Sequence, residues 1–116
     1  MNKLNFWLAS GIASLALIGA GTVVAGEVVS EAQIEAARTS EQHEAIARAY
    51  DEEAVAAEQR AESHAKMAKT YRLAYSKTPR ASMATHCSQL EKDFRNAAGE
   101  YRKLAAEHRK MAAAAN

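Results

Sequence analysis

From Met83 to Ala115, apolar or ambiguous residues recur at alternating spacings of four and three: Met83, Cys87, Leu90, Phe94, Ala97, Tyr101, Leu104, His108, Met111 and Ala115. A 3.5-residue period is the a/d seam of a helix that packs lengthwise on another helix. A second seam precedes it at His43, Ala47, Tyr50, Ala54, Ala57, Ala61, His64, Ala68, Tyr71 and Tyr75, and residues 40–76 contain neither Pro nor Gly. Two such segments constrain the chain to helix-on-helix packing and leave no sequence for a sheet. The composition agrees, with abundant Ala, Glu, Lys and Arg and only 6% aromatic residues.

The helix boundaries are marked by capping chemistry. Ser30-Glu31-Ala32-Gln33 has the spacing of a capping box, so residues 26–39 form a linker or a short helix. Thr39 or Ser40 can cap the first long helix, with Glu41 and Glu44 near the positive end of its dipole. Thr78-Pro79 stops that helix and starts the next, because Pro disfavours helical geometry at the preceding residue and suits the first helical position. The prediction is all-α: a long antiparallel helical hairpin, coiled-coil-like, over residues 40–116, with helices at about 40–77 and 79–114. At ~1.5 Å per residue each helix is roughly 50 to 55 Å long.

Symmetry about Pro79 predicts the register. It sets Ala54 opposite Leu104, Ala57 opposite Tyr101, Ala61 opposite Ala97, Ala68 opposite Leu90, His64 opposite Phe94, Tyr50 opposite His108, Ala47 opposite Met111, Tyr71 opposite Cys87 and Tyr75 opposite Met83. Small side chains then face large ones, as close packing needs. Charge points the same way: residues 26–62 carry a balance of −7 and residues 63–116 one of +7. The basic residues Arg95, Arg102, Lys103, Arg109 and Lys110 are expected beside the acids between Glu41 and Glu62. Because each helix buries only one stripe, a lone Ala-rich hairpin is thin. Off-seam Ile46, Leu73, Ala74, Ala98 and Ala105 are expected to form a second stripe, used either to pair two hairpins into a four-helix bundle, a homodimer, or to receive residues 26–38. A weak repeat at an offset of 44 residues aligns His64-x-x-Met67 with His108-x-x-Met111, which fits duplication of one helix as well as it fits two similar Ala-rich heptads.

Residues 1–25 read as a signal peptide: Lys3, an apolar run from Leu4 to Val24, and Val23-Val24-Ala25 before a cut. An uncleaved inner-membrane anchor over residues 4–25 is the alternative, weakened by Gly11, Gly19 and Gly21. Export to the periplasm would place Cys87, the one Cys of the chain, in an oxidising compartment without an internal partner. It is then buried, links two chains or binds a soft ligand.

The chain carries no Gly-rich phosphate loop, no His-Glu-x-x-His and no Gly-x-Ser-x-Gly, and His86 beside Cys87 points about 100° away from it on a helix. The expectation is a non-catalytic protein of structural or protein-interaction role. Seam residues His64 and His108 are read first as polar layers, His64 stacked on Phe94 and His108 bonded to the Tyr50 hydroxyl. The alternative is metal. His64-x-x-Met67, Met83-x-x-His86 and His108-x-x-Met111 each place an imidazole and a thioether on one helical face, with Cys87 adding a thiol. These pairs resemble the His-x-x-Met and Met-x-x-His pairs of periplasmic silver- and copper-binding proteins, a resemblance that implies Cu(I) or Ag(I) binding. Lastly, Lys66, Lys69, Arg72, Lys77 and Arg80 gather near the turn and suit an anionic membrane surface, while nothing in the pattern suits a nucleic acid.

Overall fold

The computed structural model describes residues 29–75, 77, 80 and 82–115, with the side chain of Tyr75 excepted. The segment at 1–25 expected to be a signal peptide, the Thr78-Pro79 junction and the Tyr75–Met83 pair lie outside the described residues. The described residues form three helices: α1 (Glu31–Ala36), α2 (Ser40–Tyr75) and α3 (Ser82–Ala114). The two long ones pack on each other as an all-α helical hairpin.

The starts of α1 and α2 follow the cap chemistry of the sequence, while α3 begins at Ser82 rather than at about 79. Ser30 Oγ accepts from the Gln33 N–H, and Gln33 Oε1 accepts from the Ser30 N–H at 2.8 Å, closing the capping box of α1. Thr39 rather than Ser40 caps α2. Its Oγ1 accepts from the Gln42 N–H at 3.1 Å, while Gln42 Oε1 reaches back to the Thr39 and Arg38 N–H groups. These bonds satisfy donors that a helix start leaves open. The same Gln42 contacts draw the chain tightly between α1 and α2, and Val29 and Ala37 close over Ile46 as a small apolar cluster. Ile46 therefore belongs to the seat of α1.

The α2 seam lies where the sequence predicts it. Ala47, Ala54, Ala57, Ala61 and Ala68 are buried, with His43, Tyr50, His64 and Tyr71 half-buried between them. On α3 the expectation needs correction. The residues that enter are Ala84, Cys87, Ala98, Ala105, His108 and Ala112, joined by half-buried Glu91, Phe94 and Tyr101. Met83, Leu90, Leu104 and Met111 are turned out, at 41%, 41%, 42% and 46% exposure, and Ala115 is exposed as well. The true seam keeps Cys87, Phe94, Tyr101 and His108 but takes the residue after each predicted apolar partner, which amounts to turning α3 by about 50°.

Two physical terms favour that turn. An Ala on both sides of the interface lets the two backbones approach more closely than an Ala–Leu layer can, gaining dispersion contacts along the whole hairpin. Turning α3 also carries its arginine line toward the acids of α2. Arg109 pairs with Asp51 at 2.6 Å and with Glu44 at 3.8 Å, and Arg102 pairs with Glu58 at 2.8 Å. Lys103 and Lys110 do not cross to α2 as expected; they bind Glu100 and Glu107 one turn away on their own helix, and Arg95 binds Glu91. The predicted second stripe dissolves for the same reason. Ala98 and Ala105 are core, Ile46 is under α1, and Leu73 stands 76% exposed with Ala74 beside it.

Candidate functional site

The polar layer farthest from the turn is built by α2 and α3 together. His43 sits in the first turn of α2 and His108 near the end of α3, and their Nδ1 atoms face each other at 3.1 Å. Only one of the two nitrogens can carry a proton in such a contact, so the rings hold complementary tautomers. Their centroids are 5.4 Å apart. Tyr50, two turns along α2, lies against the His108 ring at 5.8 Å and stacks on Tyr101 at 6.2 Å. His108 is buried, with 6% of its surface exposed. Burial first, and the neighbouring His43 second, hold its pKa below the ordinary imidazole value. The expected partner of His108, the Tyr50 hydroxyl, is thus replaced by the imidazole of His43. Tyr50 supplies a ring face.

His64 and Phe94 form the layer expected of them, with ring centroids 5.5 Å apart and planes within 9°. The guanidinium of Arg60 lies 5.9 Å from the Phe94 centroid, a cation–π contact. His64 Nδ1 is buried without a hydrogen-bond partner among the described residues. A neutral imidazole protonated on Nε2 leaves only a lone pair there, a smaller loss than an orphaned donor.

The seven residues of the metal expectation separate into two populations. His108 and Cys87 are buried in the seam, Cys87 as a free thiol, and His64 is half-buried against Phe94. Met67, Met83, His86 and Met111 are exposed. The pair with both ligands outward is Met83 with His86, one turn apart near the start of α3. Among the described residues no three His, Cys, Asp or Glu side chains stand close enough to share an ion. The two donors that meet across the hairpin are His43 and His108, and His43 is absent from the three His/Met spacings. The sequence signal that could have found it is its place on the α2 seam; assigning its partner required the register of the two helices.

At the other end, the basic group near the turn is partly engaged. Lys66 binds Glu62 at 2.8 Å and Arg72 donates to the Ser88 hydroxyl at 2.8 Å. No helix among the described residues is long and apolar enough to cross a membrane. The class that the geometry defines is the all-α helical hairpin. No protein-family model, curated protein or solved structure matches the chain.

Proposed function

We propose that this chain is a small exported, periplasmic helical-hairpin protein that works by protein interaction rather than catalysis. One observation carries the reading. The hairpin core is almost entirely Ala, and none of its fully buried side chains is large, while Met83, Leu90, Leu104 and Met111 face outward. Burial of a Leu or Met side chain is worth roughly 1.5–3 kcal/mol, and a line of exposed large apolar side chains along one helix beside a core this small supports the reading of an interface there. Photo-crosslinking in cells tests it, with the reactive residue placed at Leu90 or Leu104 and, as control, at Glu52 on the opposite side of the hairpin. Cross-links to a protein from positions 90 and 104 alone are expected; equal yields from position 52, or none at all, would refute the interaction. Intact mass of the cell-derived protein tests export, through loss of residues 1–25.

A second reading, Cu(I) or Ag(I) binding, is favoured by the His43–His108 geometry. The facing Nδ1 atoms bring two imidazoles, a ligand type that suits copper, to one place, and the thioether of Met111 follows His108 by one turn. Calorimetric titration with Ag(I) decides it. Binding lost in His43→Ala and His108→Ala supports the site, and binding unchanged in both dismisses it.

A further inference from the structure

Five apolar residues of α3 recur at a strict seven-residue spacing along the flank of the seam: Met83, Leu90, Ala97, Leu104 and Met111. The four large ones are each about two-fifths exposed or slightly more, and Ala97 is half-buried, one side of it packed against the Ala54, Ala57 and Ala98 cluster. A seven-residue repeat keeps to one side of a supercoiled helix, so they form a single straight stripe. It runs 28 residues, about 42 Å at ~1.5 Å each. The order of side chains is Met, Leu, Ala, Leu, Met, the same in both directions from Ala97.

We propose that this stripe binds a second copy of the chain, with α3 antiparallel to α3 of that copy and Ala97 on the two-fold axis. The proposal rests on the interaction reading above and names its partner. A two-fold contact joins one patch to itself, so residues on either side of the axis must be complementary when exchanged. About Ala97 they are: Leu90 meets Leu104 of the second copy, Met83 meets its Met111, and the smallest residue occupies the axis, where the helices come closest. The corresponding line on α2, Ile46, Glu53, Arg60 and Met67, is interrupted by two charges, and its Ile46 is already covered by Val29 and Ala37.

Flanking charge sets a cost on the pairing that local partners reduce. The acids that border the stripe are Asp93, Glu100 and Glu107: Lys103 and Lys110 hold the last two at 2.7 and 2.6 Å and Gln89 donates to Asp93 at 2.9 Å, which tempers the repulsion where the two-fold brings Asp93 toward Glu100 of the second copy. Isolated hairpins with Ala cores are marginal, and a second hairpin supplies the missing burial.

The test uses the chain expressed at full length and purified as the cell leaves it. In a Cys87→Ala background, Ala97→Cys is oxidised with diamide; the two thiols sit on the axis, and a disulfide dimer is expected at least tenfold faster than from Val55→Cys. Leu90→Cys alone is expected to cross-link slowly, but quickly when mixed with Leu104→Cys. Sedimentation at micromolar concentration is expected to give the mass of two chains, falling to one in Leu90→Glu/Leu104→Glu and unchanged in Val55→Glu. Single-chain mass for the unaltered protein, or Ala97→Cys no faster than Val55→Cys, overturns the proposal. If the double Glu variant instead releases a different co-purifying protein, the homodimer is wrong and the interaction reading survives. A single chain with no stripe-dependent partner ends both.

Discussion

His43 Nδ1 and His108 Nδ1 stand 3.1 Å apart across the open end of the hairpin, one from each long helix. One proton lies between them, so a proton on both Nδ1 atoms would set two donors against each other. The groups facing the pair are Glu44, Asp51 and Arg109, which form their own ion pairs at the edge of the layer, and the rings of Tyr50 and Tyr101.

Acid should therefore loosen this end. The His108 pKa is lowered in the folded chain, so the fold binds fewer protons than the unfolded chain once the pH drops below the unfolded imidazole value of about 6.5. Stability is fully present above that value and is lost as the pH falls toward the folded pKa. Thermal melts followed by circular dichroism between pH 8 and pH 5 should show a falling Tm. His108→Leu should flatten the curve over that interval.

The position of the seam is tested by adjacent alanines. Ala105 is fully buried between the helices, whereas Ala106 faces solvent. Ala105→Leu forces the backbones apart and should cost about 1–3 kcal/mol, while Ala106→Leu should stay within about 0.5 kcal/mol. Denaturant titration of both variants measures the difference. Equal effects would return α3 to the unrotated seam.

Cys87 is buried and free. Its thiol should react slowly with an aromatic disulfide reagent in the native protein and at the rate of an ordinary thiol in 6 M guanidinium, because only opening of the hairpin exposes it. Fast native labelling would show that α3 is turned differently near its start.

The cap at Thr39 joins α1 to α2 through Gln42. Thr39→Ala should lower stability by about 1 kcal/mol, and it should increase hydrogen exchange first at the Gln42 amide. Arg102→Ala, which removes an exposed ion pair with Glu58, should cost about 0–1 kcal/mol and lose that effect in 1 M salt.

The heptad spacing and the caps made the hairpin legible before any coordinates: Ala47, Ala54, Ala61 and Ala68 are core, Ser30 and Thr39 cap, and His64 stacks on Phe94. The α3 face was legible only to within one residue. Cys87, Phe94, Tyr101 and His108 fit two seams equally, one completed by Met83, Leu90, Leu104 and Met111 and the other by Ala84, Ala98, Ala105 and Ala112. Hydrophobicity alone prefers the first. Close approach of two alanine-lined helices, together with Arg102 and Arg109 reaching Glu58 and Asp51, prefers the second.

The candidate site shared that ambiguity. The sequence lists imidazoles and thioethers by spacing along one helix, and His64, Met67, Met83, His86, His108 and Met111 are found that way. The meeting of His43 with His108 depends on a neighbour 65 residues distant and on the register of α3 against α2, neither of which a local spacing encodes.

By itself, then, the sequence determined two long helices, the cap of the first, their return on one another and which side of α2 is buried, because period, caps and charge are local properties. Only the tertiary structure decided which side of α3 is inside and which residues meet across the hairpin, since those choices balance interhelical distance and ion pairing between groups far apart in the chain. The rotation of α3 leaves the Met-Leu-Ala-Leu-Met line outside, and the register pairs the two histidines within.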